Sequence, residues 1–218
     1  MKTITAIQAQ KKDPNRVNIH LDGEFAFGLA RIVAAWLKTG QKLDEAKIAS
    51  LQEEDGRERA YQQAMLFLSY RARSEAEIRR NLRKHEFSEA VIGTVLERLR
   101  EARLADDEGF ARAWVENRSS FRPRSRKALA LELRQKGLPE ESAQAALQDI
   151  DEEALAWEAA RKRAPRLEGL EWQDFRKKLG GFLGRRGFPY PIVAATLTRL
   201  WNEMHAGQEK TMDNEETL

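Results

Sequence analysis

Three segments of the chain align without a gap, at offsets of 51 and 50 residues. Each carries apolar residues at the same steps: Ile78, Leu82, Phe87, Ile92, Leu96 and Leu99; then Leu129, Leu133, Leu138, Ala143, Leu147 and Ile150; then Leu179, Leu183, Phe188, Val193, Leu197 and Leu200. Steps of three and four place residues on one helix face, and the five-residue steps in the middle mark a turn between two helices. The turn itself repeats. Lys136-Gly137-Leu138-Pro139 matches Arg186-Gly187-Phe188-Pro189, while the first segment has His85-Glu86-Phe87-Ser88 there, with no glycine. Glycine ends a helix in the left-handed conformation at little steric cost, and a basic neighbour suits the carboxyl end of the helix dipole. The following Leu or Phe returns to the core, and Pro or Ser opens the next helix. A further helix precedes each pair, at 57–70, 106–121 and 151–164. Units of about 50 residues hide their apolar faces partly by stacking on their neighbours. The expectation is a mainly α fold, an elongated tandem array of three three-helix units.

The N-terminal residues follow a different period. Val17, Ile19 and Leu21 alternate with Asn18 and His20, as in a half-buried strand, and Phe25 and Phe27 continue the alternation. Asp22-Gly23 between them suits a two-residue hairpin turn, whose central positions need positive φ. Residues 3–9 form a further strand, with Lys11-Lys12-Asp13-Pro14-Asn15 as its turn. A hairpin alone is marginal, so a third strand or a helix must cover it. Leu29, Ile32, Val33, Trp36 and Leu37 then take helical spacing up to Gly40, and Leu43, Ile48 and Leu51 suggest a second short helix. The polar stretch Glu53-Glu54-Asp55-Gly56 reads as a break. The division expected is a β-hairpin-containing N-terminal extension at 1–56, units at 57–105, 106–150 and 151–205, and a disordered acidic tail at 206–218.

Charge narrows the function. The chain of 218 residues has 38 Lys and Arg against 35 Asp and Glu, so its net charge is +3. Residues 57–205 hold a net +6, the N-terminal 56 are neutral, and the last 13 hold −3. A basic middle fits nucleic acid or an acidic protein surface. The absence of Cys excludes a disulfide scaffold, a thiol nucleophile and a Cys-ligated metal. His20, His85 and His205 have no metal-ligand spacing, and no Walker A, dinucleotide-binding or His-Glu-x-x-His motif occurs. Neither an enzyme nor a cofactor is expected. With no long apolar stretch and no secretory signal, the expected location is the cytoplasm, without membrane contact.

Four pieces of the body, taken in order, resemble the RecX family. They are Arg73-Ser74-x2-Glu77-Ile78-x3-Leu82, Leu104-x-Asp106-Asp107-x2-Phe110-Ala111, Glu132-Leu133-x2-Lys136-Gly137, and Lys178-Leu179-x2-Phe182-Leu183-x-Arg185-Arg186-Gly187-Phe188. The resemblance covers 57–205. It implies a tandem of three-helix units and a non-enzymatic, monomeric modulator of the recombinase RecA. Such a modulator binds RecA and its filament on single-stranded DNA and restrains ATP hydrolysis, strand exchange and coprotease action, with DNA itself a further partner. One stretch departs from the family: Phe121-Arg122-Pro123-Arg124-Ser125-Arg126 is more basic and lacks the glycine that members often carry there. The alternative is a stand-alone helix-turn-helix-like DNA-binding protein. Third helices such as 140–150 are acidic or apolar, which argues against it.

The candidate RecA- or DNA-binding residues are three basic clusters. Arg71, Arg73, Arg79, Arg80, Arg83 and Lys84 surround the second helix of the first unit, with Arg79 and Arg83 on one face. Arg118, Arg122, Arg124, Arg126 and Lys127 form a run with no acid between them. Arg176, Lys177, Lys178, Arg185 and Arg186 flank the middle helix of the third unit. The five tryptophans, Trp36, Trp114, Trp157, Trp172 and Trp201, are read as packing residues rather than base-stacking platforms. Gly180, Gly181 and Gly184 lie inside a helix and suggest close helix–helix contact. Asp106-Asp107 reads as the N-terminal cap of the next helix.

Overall fold

The computed structural model describes residues 1–212. It divides into two compact units, Met1–Asp106 and a second from Asp107 onward.

The first unit begins with four antiparallel strands, β1 (Lys2–Ala9), β2 (Arg16–Leu21), β3 (Glu24–Ala30) and β4 (Lys42–Leu43), in the order β3-β2-β1-β4. The hairpin forms where the alternation places it, with Asp22 and Gly23 both at positive φ (51° and 97°). One face of the sheet buries Ile4, Val17, Ile19, Leu21, Phe27 and Leu29. Leu43 and Leu51 close this core from outside the hairpin, so both a further strand and a helix cover it.

Residues 29–37 do not form the helix their spacing suggests. Leu29 and Ala30 are still in β3, paired with Val17 and Arg16. Beyond them the chain makes a run of turns, with Val33 N–H donating to the Ala30 carbonyl and Leu37 N–H to that of Ala34. Val33 and Ala34 face the sheet core, whereas Ile32 and Trp36 face outward.

The break expected at 53–56 is not a break either. Helix α1 (Glu45–Ser69) runs through it without interruption, capped by Asp44, whose carboxylate accepts from Lys47 N–H at 2.7 Å. Asp55 is polar because it ties the helix to the sheet. Its buried carboxylate accepts from Ala30 N–H at 2.6 Å and from both terminal nitrogens of Arg16 at 3.1 and 3.0 Å.

Helices α1, α2 (Glu75–Lys84) and α3 (Glu89–Glu101) make the first three-helix unit. α4 (Asp107–Phe121), α5 (Arg126–Gln135) and α6 (Glu140–Leu147) make the second. α7 (Glu152–Arg161), α8 (Trp172–Arg185) and α9 (Tyr190–Met212) make the third, with a single 3₁₀ turn at Ala164–Arg166. Of the 18 aligned apolar positions, 16 are buried, and Phe87 and Ile150 are partly buried. Each unit therefore has its own core, and Leu155 packs against the cores of both the second and the third.

The repeated turn is the same device three times. Phe87 N–H donates to the Leu82 carbonyl, Leu138 N–H to that of Leu133, and Phe188 N–H to that of Leu183. The preceding N–H of Glu86, Gly137 and Gly187 reaches the carbonyl three residues back. These paired bonds close the helix in the Schellman manner. Ser74, Ser88, Ser125 and Asp151 cap the following helices through their side chains, and Asp106 directly precedes α4. The backbone stays helical to Met212, beyond the expected start of the tail at 206, and residues 213–218 lie outside the described residues.

Candidate functional site

Half of the first unit's basic cluster, Arg71, Arg79 and Arg83, is paired with its own acids. Arg79 and Arg83 share a face, and both sit on Glu89, Arg79 at 2.8 Å. Those two guanidiniums, Arg83 foremost, hold the Glu89 carboxyl below its usual range, and Glu89 in turn raises Arg83. Arg71 forks onto Glu77 at 2.9 and 3.1 Å. Arg73 lies 4.0 Å over the Phe67 ring, and burial followed by the charge of Arg71 lowers its pKa. Arg80 and Lys84 are exposed. Each acid lies six or ten positions from its arginine, beyond the i, i+3 and i, i+4 spacings that pair residues on one helix face, so helical spacing does not show the pairing.

The second cluster is not uncompensated. Glu132 on α5 takes Arg118 at 2.7 Å and Arg124 at 3.1 Å, and it also accepts from the Trp114 indole N–H at 2.8 Å. Arg118 in addition lies 4.5 Å over the Trp114 ring. Arg126 turns away from the others. Its Nη2 donates to the Ile150 carbonyl at 2.7 Å, and its backbone N–H donates to Glu152 at 3.0 Å. Lys127 lines the same groove as Arg126, beside Glu141, Gln144 and Glu152. Arg122 is exposed and makes no ion pair among the described residues.

The second and third clusters meet at one point. Arg186, at the end of α8, donates through Nη1 to the carbonyl of buried Pro123 at 2.7 Å. Its own carbonyl accepts from Ser125 N–H at 3.1 Å, and its guanidinium lies 4.5 Å over the Phe182 ring. Burial first, then the charges of Arg124 and Arg122, push the Arg186 pKa down. Three guanidiniums from two three-helix units thus converge with Glu132 as the neighbouring acid. Arg176, Lys177, Lys178 and Arg185 stay outside this joint, exposed and without an ion pair among the described residues.

Further residues belong to the joint. Lys162 donates to the Ser120 carbonyl, and Arg163 lies 5.6 Å over the same Phe182 ring. The run Arg161-Lys162-Arg163 is the signal that could have found them. Gly187 permits the close approach, because a Cβ there would lie 2.5 Å from Ser125 Oγ.

Four of the tryptophans are partly buried against the cores, with Trp172, Phe175 and Trp201 in mutual contact and Trp201 stacked on His205. Trp36 departs from the expectation and is 87% exposed, because residues 31–36 turn at the rim of the sheet instead of packing as a helix. Gly180 does meet α9, with a Cβ there 3.6 Å from Leu197. Gly184 meets nothing within 4 Å and marks no helix contact.

Among the described residues no helix is long and apolar enough to cross a membrane. The chain matches four family models in order: the RecX N-terminal domain at residues 2–44, and the first, second and third RecX three-helix domains at 60–99, 106–147 and 151–197. It is 33% identical over 202 residues to regulatory protein RecX of Bacillus velezensis, covering 90% of this chain and 77% of that one. It is 31% identical over 215 residues to regulatory protein RecX of Bacillus subtilis, covering 96% and 81%. A crystal structure of regulatory protein RecX superposes with a TM-score of 0.69 at 29% identity, over 88% of this chain and 97% of the other. With sequence, domain order and fold in agreement over most of its length, the chain belongs to the RecX family of regulatory proteins.

Proposed function

We propose that this chain regulates the recombinase RecA as a binding protein rather than as an enzyme. It engages RecA and its filament on single-stranded DNA and restrains ATP hydrolysis, strand exchange and coprotease action, as a cytoplasmic monomer. The observation that carries the partner's identity is the ordered match of four RecX domains along the chain. Within it, the joint of Arg122, Arg124 and Arg186 supplies the contact. Clustered guanidiniums that share the acid Glu132 suit phosphates or carboxylates, and several modest patches on one chain add through effective concentration.

The test is ATP hydrolysis by RecA on single-stranded DNA, titrated with substoichiometric protein, where suppression is expected. Replacing Arg122 and Arg124 together with Ala should weaken filament binding roughly tenfold and flatten its salt dependence. The melting point should hold, because Glu132 keeps Arg118 and Trp114. Arg126 is left in place because it binds the Ile150 carbonyl. Unchanged affinity across a salt series removes the joint from the interface. Unchanged hydrolysis together with tight binding to DNA alone would favour the helix-turn-helix alternative.

A further inference from the structure

The first compact unit carries a groove of about 850 Å³ apart from every basic cluster considered above. One wall is a stripe of α1, Arg59, Gln62, Gln63 and Leu66, which are spaced as one helix face. The other wall is the turn segment after β3, with Arg31, Ile32 and Ala35. Ile32 is 64% exposed and Leu66 54%, so each wall presents a large aliphatic side chain to solvent. Trp36, 87% exposed, lies one residue beyond Ala35.

The charges of the groove are unbalanced. Seven of the twelve arginines of this unit rest on a carboxylate: Arg16, Arg57, Arg71, Arg79, Arg83, Arg98 and Arg100. Arg31 and Arg59 form no ion pair among the described residues, and both are exposed. The two acids of the lining differ: Glu58 is paired with a cation, whereas Asp13 makes no ion pair among the described residues and keeps its charge, one carboxylate against two guanidiniums. Glu58 binds Arg98 at 2.9 Å and Gln62 at 2.7 Å, and Asp13 accepts from Asn15 N–H at 2.9 Å. The groove therefore pairs aliphatic walls with two unmet positive charges on opposite sides.

We propose that this groove docks an acidic segment of a partner protein, one whose carboxylates meet Arg31 and Arg59 while an aliphatic or aromatic side chain packs on Ile32 and Leu66. Ile32 and Leu66 offer dispersion contacts to a side chain, and Phe87, which also lines the groove, packs on the core of the first unit's helices. Two separate guanidiniums suit separate carboxylates, and Gln62 and Gln63, each of which gives one Nε2 hydrogen bond (to Glu58 and to Asn81), have an Oε1 and a second N–H for a peptide main chain. The inference rests on this unit alone and is independent of the RecA reading.

The full chain is panned against phage-displayed short random peptides, and the most enriched peptide is synthesised and titrated by fluorescence anisotropy. Enriched peptides should combine Asp or Glu with Leu, Ile, Met or Phe. Ile32→Ser and Arg59→Glu should each weaken binding about tenfold or more at an unchanged melting point, whereas Arg122→Ala should leave it unaltered. An absence of enrichment, peptides lacking acidic residues, or affinity insensitive to both substitutions overturns the proposal. So does displacement of the peptide by single-stranded DNA. Concentration-dependent dimerisation that Ile32→Ser abolishes would instead give the groove to a second copy of the chain.

Discussion

Glu86 holds, at φ 62°, the left-handed conformation that Gly137 and Gly187 hold at 79° and 88°. A side chain there meets the following carbonyl, at a cost of about 1 kcal/mol. The sequence showed three equivalent turns and one missing glycine, and the backbone kept the turn regardless, because the Leu82–Phe87 bond and the Phe87 contact with the core hold it closed. Glu86→Gly should therefore raise stability by about 1 kcal/mol in urea unfolding. A loss of stability would show that Glu86 makes a favourable contact. Gly184 is the converse. It lies in the last turn of α8 with open space where a Cβ would stand, so Gly184→Ala should stabilise by about 0.5 kcal/mol. Its helix position was legible, but whether a neighbour lies against it depends on how α8 rotates about its axis.

Polarity misled at the level of the element. The residues at 53–56 look like a linker, yet α1 carries them through, because Asp55 faces the sheet and satisfies both Ala30 N–H and Arg16. A buried carboxylate with three donors is indistinguishable in sequence from an exposed one. Asp55→Ala leaves a buried N–H and a partly buried guanidinium unmatched, and should cost roughly 2–4 kcal/mol. Urea unfolding checks this, and a change within about 0.5 kcal/mol would mean that water replaces the carboxylate. The helices of the three-helix units were legible within a few residues except the first, where α1 starts at Glu45 and not at 57, because a periodic face marks a helix body while the polar stretch at 53–56 hid its continuation. The helix expected at 29–37 was not found, because pairing of Leu29 and Ala30 with β2 prevails over a local helical period.

Across the molecule, repetition describes the units, but particular contacts join the second to the third. Glu86 shows that the turn tolerates a side chain, so backbone conformation alone does not require glycine at 187. Ser125 and Ala128 do, because a Cβ at 187 would lie 2.5 Å from Ser125 Oγ and 3.2 Å from Ala128 Cβ. Ser125 is fully buried and caps α5, so it has little room to yield. Gly187→Ala should therefore destabilise by roughly 2–3 kcal/mol, combining conformational strain with overpacking. Retention of wild-type stability would show that the joint can open without loss. The same joint positions the proposed RecA contact, so a destabilised Gly187→Ala protein should also suppress RecA hydrolysis less well.

The three-helix repeat, the hairpin, the absence of a thiol site and the family can all be read along the chain, because each is written in composition, local spacing, turn chemistry or motif order. Even the basic residues of the candidate site could be named from it. Which of their charges remain available is settled by packing in three dimensions. Glu132 and Glu89 reach arginines that lie 6 to 14 positions away, while Arg186 crosses 63 positions to the Pro123 carbonyl. It also left Ile32 and Leu66 uncovered beside Arg31 and Arg59, which form no ion pair among the described residues. Neutralisation and exposure depend on distances through space, falling off within a few ångströms, and chain order does not specify those distances.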